Sequence, residues 1–142
     1  MKKIEWFPLM QTMENLVAHH VMEDEVETCD PASSGLAIAY KLCKGHFGSL
    51  PVVDEQKNLL GIVTEFDLLR TIEHSRKLQT VTATDIMTRE VVTVTEQTPI
   101  LEIIKLMQVK HLIRVPVIRE RTLVGLVARR DIILAHIIAL HK

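Results

Sequence analysis

The feature that most constrains the fold is a phrase that occurs twice. "GIVTEFDLLR" begins at Gly61, and "GLVARRDIIL" begins at Gly125, 64 residues later. Two other pairs precede these phrases in the same order, "VM" with "IM" and "SLPVVD" with "RVPVIR". Repetition at a nearly fixed spacing indicates two copies of one supersecondary unit. We therefore predict an N-terminal extension at 1–15, a first repeat at 16–78 and a second repeat at 79–142.

Hydrophobic periodicity predicts a long helix early in each repeat. In the second repeat, Thr98 offers a capping hydroxyl and Pro99 suits the first position of a helix. Asp30-Pro31 is the matching pair in the first repeat, which requires a small insertion before Pro99. The apolar face of the predicted helix consists of residues at helical spacing, namely Ile100, Ile103, Ile104 and Met107.

Two strands and a second helix follow in each repeat. "SLPVVD" and "LLGIVT" flank the polar turn "EQKN" in the first, and "IRVPVI" and "LVGLVA" flank "RERT" in the second. A short helix and a strand open the second repeat, "TATDIM" followed by "VVTV", so that the unit reads β-α-β-β-α. A unit of about 60 residues is marginal alone. We therefore predict an α+β fold in which two tandem β-α-β-β-α repeats pack through their sheets with pseudo-twofold symmetry.

Composition excludes several classes of protein. Hydrophobic residues make up 47% of the chain and aromatic residues 4%, so we expect a globular protein with an aliphatic core. The 17 basic and 18 acidic residues nearly cancel and form no basic run, so nucleic acid is not an expected partner. No apolar stretch approaches the ~18 residues of a membrane span, and the N-terminus is a poor secretion signal. We expect a cytoplasmic protein without membrane contact.

No pattern in the sequence indicates catalysis or a metal site. Cys29 and Cys43 lack the spacing of metal ligands, and we expect both to be reduced, structural thiols. The histidines are not accompanied by cysteine or carboxylate at ligand spacing. A nucleophile with a base and an orienting group is not visible either. An enzyme is therefore not expected.

The repeated phrase has two interpretations. Thr64 and Asp67 form the pattern of a capping box, in which the hydroxyl caps a helix and the carboxylate accepts from the amide of the cap residue. In the second repeat Ala128 replaces the hydroxyl while Asp131 remains. The same strand-to-helix turn presents free amides to a phosphate, and its carboxylate can accept hydrogen bonds from both hydroxyls of a ribose. The residues alone leave the structural and the ligand-binding interpretations open.

These motifs closely resemble the tandem cystathionine-β-synthase (CBS) domain pair, also called a Bateman module. The resemblance rests on the "IM" pair, the "LPVVD" and "VPVI" strands and the closing glycine-to-aspartate phrase, and it spans about residues 16–141. It implies binding of adenosine-containing ligands in clefts between the repeats, and pairing of modules into flat dimers. AMP, ADP or ATP are the expected ligands, ahead of S-adenosylmethionine or NAD, and no cofactor is required.

The resemblance also assigns site residues. The family's ribose-binding aspartate corresponds to Asp67 and Asp131, and its hydroxyl residue corresponds to Thr64 alone. Each cleft is expected to combine the closing phrase of one repeat with the opening segment and central strand of the other. The better cleft is expected to join Ile62, Thr64, Asp67, Thr93, Thr95, His111, Ile113, Arg114 and Pro116. The poorer cleft is expected to join Thr28, Ser49, Pro51, Ala128, Arg129 and Asp131.

Charge refines these assignments. Arg114 and His111 are the expected phosphate partners in the better cleft, because a guanidinium offers two parallel donors. In the poorer cleft, Arg129 and its neighbour Arg130 are expected to compensate by charge for the hydroxyl that Ala128 lacks.

We therefore expect a non-catalytic regulatory module that works as a homodimer. Because the resemblance covers nearly the whole chain and leaves no attached effector domain, a ligand-induced change is expected to pass to a separate effector protein. Trp6-Phe7 is expected either to form a dimer contact or to tether the N-terminus. The alternative is a dimerisation scaffold whose clefts are vestigial and bind no ligand.

Overall fold

The computed structural model describes residues 13–45 and 47–141 of the chain. The expected role of Trp6-Phe7 lies outside these described residues. The chain divides into two compact units, and each is described here by itself. Unit 1 consists of residues 1–26 and 92–142, and unit 2 consists of residues 27–91.

The described elements follow one another in the order that the repeats predict. They are a 3-10 turn (Met13–Asn15), α1 (Ala18–Val21), α2 (Gly35–Gly45), β1 (Ser49–Val53), β2 (Leu59–Thr64), α3 (Glu65–Glu73), α4 (Ala83–Ile86), α5 (Ile100–Lys110), β3 (Arg114–Arg119), β4 (Thr122–Ala128) and α6 (Arg129–Leu140). Among these, no helix combines the length and the apolar character that crossing a bilayer would require.

Each unit contains one antiparallel hairpin at the predicted place. In unit 2, the ladder between β1 and β2 begins with Ser49 opposite Thr64. In unit 1, the ladder between β3 and β4 begins with Arg114 opposite Ala128. Both ladders shift register near the turn. Two small antiparallel sheets and their helices therefore give the α+β fold that was predicted.

The predicted opening strand is reduced to a single bridge. In "VVTV" only Val94 pairs, lying parallel to Val117, and Cys29 forms the equivalent bridge with Val52 in unit 2. The strand does not continue because the N–H of the next residue, Thr95, donates to a side chain rather than to a neighbouring strand. The prediction of a full strand here is wrong.

The long helices begin later than predicted. Thr98 does not cap α5, because its Oγ1 accepts from the N–H of Thr95 at 3.0 Å, and Pro99 occupies the cap position instead. In the first repeat Ser33 Oγ accepts from the N–H of Asp30 at 3.2 Å in the same way. Ser33, and not Asp30, is therefore the counterpart of Thr98. The insertion inferred from the sequence before Pro99 is not needed.

The compact units do not coincide with the sequence repeats. α1 opens the first repeat but contacts β4 and α6 within unit 1. α4 opens the second repeat but contacts α2 and α3 within unit 2. Each unit thus combines the hairpin of one repeat with the opening helix of the other. The boundaries 16–78 and 79–142 stay a prediction about sequence repeats.

The repeated glycine makes this exchange possible. After α4 the chain crosses β2, and the N–H groups of Ile62 and Thr88 each donate to the other's carbonyl, at 2.9 and 2.8 Å. A Cβ on Gly61 would lie 2.7 Å from Met87 Sδ and 2.8 Å from the carbonyl oxygen of Thr88. The position therefore requires glycine because another segment approaches closely, whereas its backbone is not left-handed.

Each unit has its own aliphatic core, as the composition predicted. In the described part of the chain no aromatic side chain belongs to the buried core, and Phe47 packs against it only from a partly buried position. The core of unit 1 consists of Leu16, Ala18, Val21, Met22, Val94, Ile100, Ile103, Met107, Val115, Val117, Val127, Ile132 and Ala135. The core of unit 2 consists of Cys29, Ile38, Leu42, Leu50, Val52, Val63, Leu68, Val81, Ala83 and Ile86.

Candidate functional site

The junction between β2 and α3 is a complete capping box. Thr64 has an extended backbone, and its Oγ1 accepts from the N–H of Asp67 at 3.1 Å. In return, Asp67 Oδ2 accepts from the Thr64 N–H at 2.8 Å and from the Thr64 hydroxyl at 3.0 Å. The structural interpretation of this half of the repeated phrase is therefore confirmed.

The second carboxylate oxygen of Asp67 is also occupied. Arg70 Nη1 donates to Oδ1 at 3.0 Å, one helical turn along α3. Thr88 Oγ1 lies 3.3 Å from Oδ1 and 3.4 Å from Oδ2 and reaches the carboxylate from the segment that follows α4. Asp67 is only 3% exposed, so all these partners act on a buried charge, where each hydrogen bond counts for more than at the surface.

The junction between β4 and α6 has the same backbone without the hydroxyl. Ala128 adopts φ −102° and ψ 158°, close to the −105° and 168° of Thr64. Asp131 Oδ2 accepts from the Ala128 N–H at 2.8 Å, and the residue is 6% exposed. The carboxylate half of the capping box thus forms in both repeats, which explains why aspartate is kept where threonine is not.

The surroundings of the two carboxylates differ in residue type. Leu134 stands three residues after Asp131, where Arg70 stands in the other repeat, and its side chain cannot donate a hydrogen bond. Glu23 pairs through its backbone with Leu126 as Thr88 pairs with Ile62, so an acid takes the place of a hydroxyl. The Asp67 junction therefore combines one acid with an arginine and two hydroxyls, and its counterpart does not.

Within unit 2 the structure brings together residues that the sequence analysis assigned to different clefts. Ser49 is buried and lies opposite Thr64, and Pro51 is buried and lies opposite Ile62. Thr28 is half-buried, and its carbonyl accepts from Lys41 Nζ at 2.8 Å. The predicted grouping of residues into a better and a poorer cleft stays a prediction.

Unit 1 shows the corresponding arrangement. Arg114 lies opposite Ala128, at the start of α6, and burial lowers the pKa of its guanidinium. Pro116 is buried in the next pair but one of the same ladder. Arg129 is the exposed first residue of α6, and its N–H donates to the carbonyl of Ile113 at 3.0 Å. Arg114 on β3 and Arg129 at the start of α6 therefore place two cations beside the Asp131 junction.

The remaining predicted residues of unit 1 line its other surfaces. His111 ends α5 in a left-handed conformation with φ 56° and is exposed, as expected for a polar residue at a helix end. Thr93 and Thr95 border an open groove of about 480 Å³ along α5. The hydroxyls of Thr95 and Thr98 lie 3.2 Å apart at this groove.

Among the described residues the two cysteines differ in burial, and the metal-binding side chains do not cluster. Burial raises the pKa of Cys29 to about 11, so its thiol stays protonated at neutral pH and is a poor nucleophile. Cys43 is exposed, so the expectation that it packs in the structure is wrong. Within residues 13–45 and 47–141, no three metal-binding side chains form a group that could hold an ion.

Two partners of Asp67 were missed in the sequence. Arg70 was detectable in principle, because residues three apart on a helix are neighbours and an acid followed by a base at that spacing forms an ion pair. No local sequence pattern indicated that Thr88 would contact Asp67. Its contact with Asp67 depends on the exchange of opening helices, which periodicity does not report.

Two α+β units, each with a hairpin that leads into a helix capped by a buried aspartate and each completed by the opening helix of the other repeat, define a duplicated strand–turn–helix module. The family model for the CBS domain matches residues 17–74 and 83–137, one match in each repeat. The chain belongs to the CBS-domain family, as a tandem pair.

Known proteins share this fold. A putative acetoin utilization protein (AcuB) from Vibrio cholerae matches with a TM-score of 0.82 at 25% identity, over 89% of this chain and 93% of that protein. The CBS domain pair of protein MJ0100, solved in complex with 5′-methylthioadenosine and S-adenosyl-L-methionine, matches with a TM-score of 0.73 at 29% identity, over 84% of this chain and 98% of that one.

A sequence relative covers a similar part of the chain. The uncharacterized protein MK0525 of Methanopyrus kandleri is 32% identical over 123 residues, which are 85% of this chain and 63% of that protein. The match therefore spans less than two thirds of the length of MK0525.

Proposed function

We propose that this chain is a non-catalytic regulatory module that binds an adenosine-containing ligand and signals to a separate partner by a change of conformation. The observation that carries the proposal is the buried carboxylate of Asp67 at the start of α3, in a family whose member MJ0100 was solved with two adenosine compounds. A carboxylate at such a turn can accept hydrogen bonds from both ribose hydroxyls. AMP, ADP and ATP are the proposed ligands, followed by S-adenosylmethionine and NAD.

Signalling requires that the ligand favours one arrangement of the module over another. A ligand shifts such an equilibrium only by the difference between its affinities for the two states. Because Thr88 reaches Asp67 from the opening segment of the second repeat, a ligand that displaces this contact would alter how that segment is held within unit 2. The effector protein that senses the change, and the cytoplasmic location, stay predictions.

Exposed apolar stripes support the proposal that the module is a homodimer. On α6, Ile133, Ile137 and Leu140 are 59%, 47% and 68% exposed and follow one another at helical spacing. On α3, Phe66 and Leu69 are 75% and 58% exposed. Contiguous exposed apolar surface of this kind marks protein interfaces.

A second candidate function is a dimerisation scaffold that binds no ligand. The observation in its favour is that both oxygens of Asp67 already accept hydrogen bonds from the protein. These internal partners account for the carboxylate as a helix cap, so no ligand is needed to explain its presence.

Calorimetry and thermal unfolding separate the two candidates. We expect one or more of adenosine, AMP, ADP, ATP, S-adenosylmethionine and NAD to bind, and saturation at a hundred times the dissociation constant to stabilise the protein by about 2.7 kcal/mol. Asp67→Asn should abolish that effect. Asp54→Asn is the control, because it makes the same chemical change in the turn between β1 and β2, where Asp54 Oδ1 accepts from the Gln56 N–H at 3.0 Å. A scaffold would respond to none of the compounds.

A further inference from the structure

We propose that Arg70 sets the ligand affinity of the Asp67 site by competing with the ribose hydroxyls for the carboxylate. The inference rests on the proposed function and adds to it a residue that determines affinity.

The carboxylate of Asp67 has no acceptor capacity to spare. An ionised carboxylate offers about four lone-pair sites. Two are taken on Oδ2 by the N–H and the hydroxyl of Thr64, at 2.8 and 3.0 Å. Oδ1 accepts from Arg70 at 3.0 Å, with Thr88 at 3.3 Å. A ribose that needs two acceptor sites must therefore displace existing donors.

Of the donors that bind the Asp67 carboxylate tightly, Arg70 is the one that a ligand displaces most readily. The two Thr64 bonds form the cap of α3, and breaking them would leave the first turn of the helix unsatisfied. The side chain of Arg70 is 59% exposed while that of Asp67 is 3% exposed, so a released guanidinium returns to water. Because the guanidinium is mostly exposed, water screens its attraction to the buried Asp67 and keeps the contribution of the pair modest. Releasing Arg70 opposes binding by that same amount.

The second repeat provides the natural counterpart. Leu134 occupies the position of Arg70 on α6 and has no donor to offer Asp131. The threonine that makes the Asp67 site the better one by sequence is therefore accompanied by an arginine at a position where the other repeat carries leucine. Arg70→Leu gives the first repeat the residue of the second, and Arg70→Gln removes the charge while keeping a polar side chain.

The test is calorimetric titration of the full chain with adenosine, AMP and ATP. Adenosine decides the question because it is uncharged, so that Arg70 cannot attract it through a phosphate. We expect Arg70→Leu and Arg70→Gln to bind adenosine about two- to fivefold more tightly than the wild type. Arg76→Gln, which removes another arginine at the small cavity beside Asp67, should leave the affinity unchanged.

Salt provides a readout that a merely structural role would not change. Screening weakens the ion pair between Arg70 and Asp67 but not the binding of a neutral nucleoside. Adenosine should therefore bind the wild type about twofold more tightly when the salt concentration rises tenfold, whereas the Arg70→Leu affinity should stay constant.

Each outcome either supports or overturns the competition between Arg70 and the ribose. Unchanged or weaker adenosine binding by both Arg70 variants overturns the competition, and a loss confined to AMP and ATP shows instead that Arg70 contacts a phosphate. If the wild type binds, Asp67→Asn does not, and the Arg70 variants equal the wild type, only this inference fails. If neither the wild type nor the Arg70 variants bind any of the three, and the wild type also fails to bind ADP, S-adenosylmethionine and NAD, the proposed function fails as well. Binding by Arg70→Leu alone supports the competition most directly.

Discussion

The junction at Thr64 and the junction at Ala128 have nearly the same backbone and different chemistry. Both end a strand, begin a helix and bury an aspartate that accepts from the N–H of the cap residue. Only the first adds a hydroxyl at the cap and an arginine one turn later. The difference shows that this turn forms without a hydroxyl at the cap, so the hydroxyl and the arginine at Asp67 require a separate explanation.

The largest expected effect comes from adding a side chain at the two glycines over which another segment of the chain crosses. Gly61→Ala should destabilise the protein by about 2–3 kcal/mol, and Gly125→Ala by about 1 kcal/mol. A Cβ on Gly61 meets the backbone oxygen of Thr88 at 2.8 Å, whereas on Gly125 the nearest backbone oxygen is at 3.1 Å and the closest atom is the flexible Met22 Sδ. Urea unfolding of both variants measures the two costs. Equal costs would contradict the idea that the crossing is tighter in unit 2.

An exchange of cap residues tests the junctions directly. Thr64→Ala should cost about 1 kcal/mol, because it removes the hydroxyl that accepts from the Asp67 N–H at 3.1 Å and donates to its carboxylate. Ala128→Thr should stabilise by about 0.5–1 kcal/mol, since the backbone of Ala128 already has the conformation of a capping threonine.

Thermal unfolding of both variants and of the double exchange measures the cap energies. The double variant should return to nearly wild-type stability if the two caps act independently. A destabilising Ala128→Thr would show that the space beside Asp131 is not equivalent to that beside Asp67.

The smallest effect concerns the two opening helices, whose caps differ in chemistry. At α1, His20 Nδ1 accepts from the Val17 N–H at 3.0 Å, a bond that requires a neutral imidazole. At α4, Asp85 Oδ2 accepts from the Thr82 N–H in the same position. Burial, and then the nearby His19, lower the pKa of His20 below its ordinary value of 6.5.

Because the folded protein binds this proton less readily than the unfolded chain, the His20 cap contributes fully above pH ~6.5 and is lost as the pH falls through the lowered pKa. We expect a loss of about 0.5 kcal/mol over that interval. His20→Asp should remove this step, because the pKa of Asp85 in the equivalent cap is itself lowered from 3.8 by its hydrogen bonds to Thr82. The measurement is the free energy of unfolding of the wild type and of His20→Asp as a function of pH. An unchanged step in the variant would assign it to another histidine.

The sequence by itself determined the elements of this protein and their duplication. Strand alternation and helical spacing are local patterns, so both hairpins and the apolar face of α5 were predictable from residues such as Ile100 and Ile103. The closing phrase also contained the capping-box pattern of Thr64 and Asp67 that the structure forms, since a capping box involves residues only three positions apart.

The tertiary structure alone decided which segments complete each unit. That α1 belongs with β4, and that Thr88 contacts Asp67, depends on backbone pairing across the chain, for which Gly125 and Gly61, respectively, leave the space. The opening strand shrank to one bridge, and α5 began at Ile100 rather than at Pro99, because the Thr98 side chain took the N–H of Thr95. Periodicity specifies which face of an element is apolar. It does not specify which distant element covers that face or donates to its buried charge.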